Sequence, residues 1–239
     1  MTKITHPDET VLTQVLRFRA EGLSSVSARG IQIDAILANE LETPGSDVRC
    51  GISFVARPPA AIVAEIQRIQ ADLAQIEGGQ YYYPSADLHA TLLEVAFGQS
   101  QPVIEKQVQG LSPKLQALTA DLPGAVLEAV CLGIDQKGCA LSFAPADDGL
   151  YQLRTRLKER LLAGGISVAE RYQPQAAHIS LLRYIRSLRT EPAAWAQRLA
   201  AVTIRAGLVW RVDALTLTYG ANWYGQSEKI TASGPMALQ

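Results

Sequence analysis

The chain has 239 residues, of which 48% are hydrophobic and 19% charged, and its net charge at pH 7 is −1. This composition is that of a globular protein, and it excludes wholesale disorder and collagen-like or low-complexity structure. The near-neutral total argues against a protein that follows long nucleic acids by charge alone. The polar N-terminus lacks the order of a signal peptide, and no apolar run approaches the roughly 18 residues of a membrane span. We therefore expect a cytoplasmic protein that has no membrane partner.

The charge is distributed unevenly along the chain. Residues 1–149 hold 10 basic and 18 acidic side chains, whereas residues 150–239 hold 12 basic and 5 acidic ones. The basic part could attract a small anion, or it could reflect an exposed helix face that includes Arg154 and Arg156. Three cysteines without a Cys-x-x-Cys pair indicate neither a disulfide framework nor a structural zinc site. We expect all three to be small buried side chains.

The first 48 residues are expected to be a helical extension packed on a main domain that covers residues 49–239. A helix is predicted over 5–22, with Thr5 as its cap and Pro7 in its first turn. Its apolar face would include Val11 and Val15. Residues 24–48 are mixed and polar, and they end in a turn signal at Pro44-Gly45-Ser46-Asp47.

The order of elements in the main domain favours an α+β fold. Strands are predicted over 51–56, 88–97, 125–134, 139–144, 177–185, 208–219 and 226–232, and helices over 60–77, 102–121 with a break at Pro113, 149–163 and 191–201. There is no strict βαβα alternation and no glycine-rich phosphate loop. Each half has a helix ended by Gly-Gly, then a loop with tyrosines, then a strand with a histidine, which indicates a duplication.

Two of the three histidines begin the same tetrapeptide pattern, His-x-(Ser/Thr)-Leu. The two copies are His89-Ala90-Thr91-Leu92 and His178-Ile179-Ser180-Leu181, and both fall on predicted strands. Side chains alternate across a strand, so each histidine shares a face with the hydroxyl two residues later. One copy would be a weak signal, because a lone histidine in a strand is usually structural. Two copies among three histidines are a more specific signal.

The pattern suits chemistry at a phosphodiester. If the two strands lie side by side, both imidazoles and both hydroxyls converge on one cleft. A neutral imidazole can take a proton from an attacking water while a protonated one gives a proton to the leaving oxygen. The hydroxyls can donate hydrogen bonds to the phosphoryl oxygens, although they could instead satisfy local backbone groups. No metal or cofactor is required by this scheme.

The two tetrapeptides resemble the motifs of the two-histidine (2H) phosphoesterase superfamily, which includes bacterial 2′-5′ RNA ligase-like proteins and cyclic phosphodiesterases. The resemblance covers about residues 50–232 in the order of elements. It implies a bilobal α+β fold with a groove between two antiparallel sheets, and helices on the outside. It also implies His89 and His178 as the acid/base pair, and Thr91 and Ser180 as phosphate-binding hydroxyls. The serine at 180 and the proline at 174, earlier than the family's usual position, are departures from the pattern.

Aromatic side chains near the motifs are further candidates. In a regular strand Tyr184 shares the face of His178 and Ser180, so it could form a wall for a base or ribose, or pack in the core. Arg183 would point to the other face and ranks below it. Tyrosines in the loops that precede the motif strands could stack on a base or simply anchor those loops, and they are Tyr81, Tyr82, Tyr83 and Tyr172. A weaker case exists for Trp223 and Tyr224 at the groove rim, and for Asp87 as a group that orients a histidine.

The sequence therefore predicts a metal-independent phosphodiesterase without a cofactor. Its substrate would be a small nucleotide or an RNA terminus that bears a 2′,3′-cyclic or 2′-linked phosphate, and we expect a monomer. Two alternatives stay open at this point. One is a non-catalytic module that binds a nucleotide or an RNA end, and the other is a 2′-5′ RNA ligase. The sequence does not assign which histidine is the acid and which the base.

Overall fold

A computed structural model describes residues 10–168, 175–220 and 228–232 of the chain. The helices are α1 (Val11–Arg29), α2 (Ala35–Glu42), α3 (Ala60–Glu77), α4 (Gln101–Leu111), α5 (Leu115–Thr119), α6 (Gly149–Ala163) and α7 (Pro192–Ala200). The strands are β1 (Cys50–Ala56), β2 (Tyr81–Tyr82), β3 (Ala90–Gln99), β4 (Ala125–Asp135), β5 (Gly138–Pro145), β6 (Ala177–Arg183), β7 (Val209–Val212), β8 (Leu215–Gly220) and β9 (Glu228–Ala232). The α+β class is confirmed. Among the helices described, none is both long and apolar enough to cross a bilayer.

All the strands described belong to one open antiparallel sheet. Its order is β7-β4-β5-β6-β3-β1-β8-β9, and β2 pairs separately with β6. The first motif strand, β3, and the second, β6, are neighbours at the centre, but they pair at a single position, Ala90↔Ile179. The two sheets that we predicted are therefore two halves of one sheet, β7-β4-β5-β6 and β3-β1-β8-β9, which meet at that pair.

The helices of the main domain bury their apolar stripes in one continuous core. Helix α3 contributes four fully buried residues at helical spacing, and α6 contributes four fully buried leucines at the same spacing. These residues are Ile62, Ile66, Ile69 and Leu73 of α3, and Leu150, Leu153, Leu157 and Leu161 of α6. Ala90 and Ile179 are also fully buried in this core. The central pair of the sheet thus points inward, which leaves its flanking residues on the opposite face.

The N-terminal extension differs from its prediction. Helix α1 begins at Val11 with Thr10 as its cap, and it continues to Arg29 rather than ending at residue 22. The predicted cap, Thr5, lies outside the described residues. A second helix, α2, follows where a mixed polar stretch was expected, and the Asp34 side chain caps it by accepting a hydrogen bond from the Leu37 amide at 3.1 Å. Local polarity concealed this helix because only one of its residues, Leu37, is buried.

Helix α1 covers part of the edge of β4 that β7 leaves unpaired. Strand β7 pairs with β4 only over residues 125–128. Further along β4, Arg19 donates a hydrogen bond to the Leu132 carbonyl at 2.7 Å, so a helix side chain satisfies the strand edge. Gly22 lies against the Ile134 carbonyl so closely that a Cβ there would overlap its oxygen. The extension is therefore packed on the half of the sheet that carries the second motif.

Candidate active site

The register between β3 and β6 brings the two motifs together. Extending the Ala90↔Ile179 pair by one residue each way places His89 opposite Ser180 and Thr91 opposite His178. The two histidines are then diagonal neighbours across the junction, about 7–8 Å apart at the backbone. Each imidazole thus has the hydroxyl of its own motif two residues away and the hydroxyl of the other motif across the strands.

Burial shows that these four side chains share the open face of the sheet. Thr91 and His178 are exposed and His89 and Ser180 are partly exposed, whereas Ala90 and Ile179 between them are fully buried. This alternation is the one that a regular strand imposes. The structure therefore brings together on one accessible face the four residues that the motifs single out.

His89 is held at the start of its strand by a turn. It lies one residue before β3, and its Nδ1 donates a hydrogen bond to the Asp87 carbonyl at 2.6 Å. Because a carbonyl can only accept, the neutral ring carries its proton on Nδ1, and the lone pair is on Nε2. Arg57 donates from one nitrogen to the Ala86 and Leu88 carbonyls, at 2.9 and 3.2 Å, which fixes the same turn. Asp87 thus orients the histidine through its backbone rather than through its carboxylate.

His178 lies within β6, which has β5 on one side and β3 on the other. Loss of hydration lowers the pKa of His178 to about 4, and the positive charges of Arg183, His89 and Arg154 act in the same direction. Asp135 opposes them weakly. The residue is nevertheless exposed to solvent on the open face of the sheet. It is neutral at neutral pH in the free protein and can accept a proton there.

A β-bulge after the second motif determines which of the next side chains lie on the open face of the sheet. Strand β6 pairs with β5 as Ala140↔Ser180 and then as Cys139↔Leu182, so Leu181 is an extra residue. The bulge reverses the alternation, and Leu181 and Leu182 are both buried. Arg183 consequently follows Ser180 on the open face, contrary to our expectation for a regular strand.

Tyr184 is not a wall of the site, and that prediction is wrong. Its side chain is fully buried, and its hydroxyl accepts a hydrogen bond from the Trp195 indole at 2.9 Å. The Cys139 thiol lies 3.7 Å from the same hydroxyl. The bulge at Leu181 is the physical reason, because it turns Tyr184 into the core and Arg183 out of it.

Two residues on this face were not selected from the sequence. Arg183 is one, and its charge reaches His178. Ser142 is the other, since it pairs directly with His178 across β5 and β6 and is partly exposed. No motif marks Ser142, and only the strand pairing reveals it. Tyr172, Trp223 and Tyr224 lie outside the described residues.

Arg154 of α6 binds the backbone of both motif strands just beyond their junction. Its guanidinium donates to the Leu92 carbonyl at 2.9 Å, to the Thr91 carbonyl at 3.5 Å, and from two nitrogens to the Ala176 carbonyl at 3.3 Å. The side chain therefore supplies hydrogen bonds that continued β3–β6 pairing would otherwise make. The sequence offered two explanations for the basic residues after position 149, namely attraction of a small anion or an exposed helix face. Arg154 does not belong to an exposed helix face.

The two motif strands meet at the centre of one antiparallel sheet, and both histidines lie on its open face. Comparison with solved structures shows that other proteins share this fold. The chain matches Escherichia coli LigT in its apo form at 17% identity and a TM-score of 0.52, over 80% of this chain and 99% of LigT. The same protein complexed with 3′-AMP gives 16% identity and a TM-score of 0.51 over the same shares.

A second match is a conserved protein of unknown function, ATU0111 from Agrobacterium tumefaciens, with 11% identity and a TM-score of 0.60 over 87% of this chain and 97% of that one. A structure described as a phosphoesterase matches at 17% identity and a TM-score of 0.51 over 79% of this chain and 99% of its own. These likenesses establish the fold. No protein-family model matches the sequence, and no curated protein does.

Proposed function

We propose that this protein is a phosphodiesterase that hydrolyses a 2′,3′-cyclic or 2′-linked phosphodiester of a nucleotide or an RNA terminus, without a metal. His89 and His178 would be the general acid and general base. The observation that carries the proposal is the register at Ala90↔Ile179, which puts two imidazoles and two hydroxyls on one accessible face. LigT, which shares the fold, has been crystallised with 3′-AMP, and this supports a substrate with a nucleotide part.

The proposed reaction is an in-line displacement at phosphorus. The neutral imidazole removes a proton from water, and the water oxygen forms a bond to phosphorus. The bond from phosphorus to the ribose oxygen breaks on the opposite side, and the protonated imidazole gives its proton to that oxygen. The products are a phosphomonoester and a free hydroxyl, and the second turnover begins after one proton is exchanged with solvent.

The remaining polar groups on the face suit the charge that develops during this displacement. The Thr91 and Ser180 hydroxyls can donate to the non-bridging oxygens, and Arg183 supplies a fixed positive charge near His178. A bound phosphodiester is negative, so it offsets these cations and raises the pKa of a neighbouring imidazole. Binding of the substrate would thereby help one of the two histidines to hold the proton that the leaving oxygen needs.

The test is turnover of a panel of 2′,3′-cyclic nucleotides, followed by phosphorus NMR, with EDTA present in one arm. We expect the cyclic phosphate signal to be replaced by that of a monoester at the same rate with and without EDTA. A strict need for an added divalent metal would reject the proposed chemistry. Binding without turnover would instead support a non-catalytic binding module, and joined products at high RNA-end concentration would support a ligase.

A further inference from the structure

Tyr83 is a buried tyrosine whose hydroxyl reaches two residues of the second motif strand. Its side chain is 5% exposed, which leaves no room for a base to stack on it, and its ring packs edge-on against Tyr81 at 5.1 Å. Burial raises the pKa of Tyr83, and hydrogen bonding by the Arg183 and Ser180 side chains acts on its hydroxyl in the opposite direction. A guanidinium can only donate, so Arg183 donates to the phenolic oxygen.

The backbone around Tyr83 is fixed by three hydrogen bonds. The Tyr83 amide donates to the Leu181 carbonyl at 3.2 Å. The Gln70 amide group of α3 donates to the carbonyls of both Tyr83 and Leu181, at 2.9 Å each. Because Leu181 is the extra residue of the bulge, the same contacts that hold the tyrosine also hold the irregular point of β6.

This arrangement links an element of the first half of the chain to the second motif. Strand β2, which precedes Tyr83, pairs with β6 at Tyr81↔Arg183 and Tyr82↔Leu182. Because Tyr83 follows directly after β2, the β2–β6 pairing places it beside the part of β6 that contains Ser180 and Arg183. A flexible arginine fixed in this way loses less conformational freedom when an anion binds.

We propose that Tyr83 is a positioning residue that holds the Ser180 hydroxyl and the Arg183 guanidinium in the arrangement that receives the phosphate group. The inference rests on the proposed function, since it assigns a phosphate to that face. Tyr83 itself touches no reacting atom, because it is buried behind the two residues that it holds.

The experiment compares Tyr83→Phe with Tyr81→Phe, its neighbour in the same ring contact. Binding of inorganic phosphate is measured by calorimetry, and the histidine ring signals are titrated by NMR with His6→Asn, His89→Asn and His178→Asn variants for assignment. For Tyr83→Phe we expect phosphate to bind about 10-fold more weakly, which is the loss expected for one or two hydrogen bonds. We also expect the pKa of His178 to rise toward its value in Arg183→Met, since Arg183 would move away from it.

The outcomes separate this inference from the proposed function. Phosphate affinity and a His178 pKa that both match the wild type would overturn the role of Tyr83, even if its loss lowered the melting temperature. Phosphate affinity and the pKa of His178 can both be measured without catalysis. A wild-type protein that shows no turnover would therefore reject the proposed hydrolase activity, and the two measurements would still test the role of Tyr83. Gln70→Leu removes the hydrogen bonds from α3 to the Tyr83 and Leu181 carbonyls. It should change phosphate affinity and the pKa of His178 in the same direction as Tyr83→Phe, but by less. If neither variant changed either measurement, the inference would be rejected.

Discussion

The two motif strands share a tetrapeptide pattern but hold their histidines by different means. His89 lies just before β3, and a turn fixes its ring through the Asp87 carbonyl. His178 lies inside β6, where crowding by protein and the charge of Arg183 lower its pKa. A matching sequence therefore supplies the same side chains, and the surroundings decide how each behaves. One ring has its tautomer fixed by a hydrogen bond, and the other has its charge state fixed by electrostatics.

The support around the two motifs is also unequal. The second motif has the bulge at Leu181, the buried Tyr83 hydroxyl behind it, and helix α1 packed on its half of the sheet. The first motif is held by the turn that Arg57 fixes and by Arg154, which donates to the Thr91 and Leu92 carbonyls. This difference means that changes in the N-terminal extension should affect the second half of the site more than the first.

The largest expected effect is the loss of either histidine. His89→Asn and His178→Asn should each lower kcat on a cyclic nucleotide by roughly 100-fold or more, because each removes one proton-transfer step. The double variant should be little worse than either single one, since the two groups act as a unit. Initial rates measure this, and His6→Asn is the matched control. A single variant that keeps near wild-type kcat would show that the two motifs are not equivalent in catalysis.

The next effect concerns the packing of α1 on the second half. Gly22→Ala places a methyl group where the Ile134 carbonyl lies, so we expect a loss of about 1–3 kcal/mol in the free energy of unfolding. Urea denaturation measures the loss, and hydrogen exchange should rise in β4 and β5 before β1. Gly110→Ala, in open space on α4, is the control and should be neutral or slightly stabilising. An equal rise of hydrogen exchange in β4, β5 and β1 would contradict the idea that α1 supports the second half of the sheet more than the first.

A smaller effect is expected from the arginine that binds both motif strands. Arg154→Met leaves the Leu92 and Ala176 carbonyls without their charged donor, which should cost about 1–2 kcal/mol of unfolding free energy. The activity should fall by about 10-fold, because the spacing of the strands sets the spacing of the imidazoles. Arg156→Met, an exposed position on the same helix, controls for the change in charge. If the two variants behaved alike, Arg154 would have no special role.

A further effect is a pH dependence of stability that arises from one histidine. The pKa of His178 is about 4 in the folded protein and about 6.5 in the unfolded chain, so the unfolded state binds more protons between these values. Stability should therefore fall as the pH drops from 6.5 to 4. Denaturant midpoints across this range measure the fall, and His178→Asn should flatten it more than His89→Asn does. An identical slope in all three proteins would contradict the lowered pKa.

The sequence predicts regular elements well and misses what depends on pairing. The leucine stripe of α6 and the spacing in α3 locate those helices because burial follows the helical period. The histidine motifs predict the open face for the same reason, since alternation in a strand is a local property. The extra residue at Leu181 is different, because it exists only in the register with β5. For that reason the sequence pattern predicts Tyr184 on the face that Arg183 occupies.

Two further features were beyond local patterns. Strand β2 has two residues and is recognisable only by its partner, so the sequence predicts a loop at Tyr81 and Tyr82. Helix α2 has one buried residue and therefore no apolar stripe to detect. The backbone role of Asp87 also had no sequence signal, because any residue can offer a carbonyl.

The single backbone pair at the middle of the sheet sets a geometric condition on the whole site. Sliding one strand past the other by one position would turn the shifted strand's histidine and hydroxyl toward the core. His89 would then no longer lie opposite Ser180, nor Thr91 opposite His178. Insertions or deletions beside residues 90 and 179 would therefore separate the four side chains, whereas changes in loops remote from this pair would leave their relative positions unchanged.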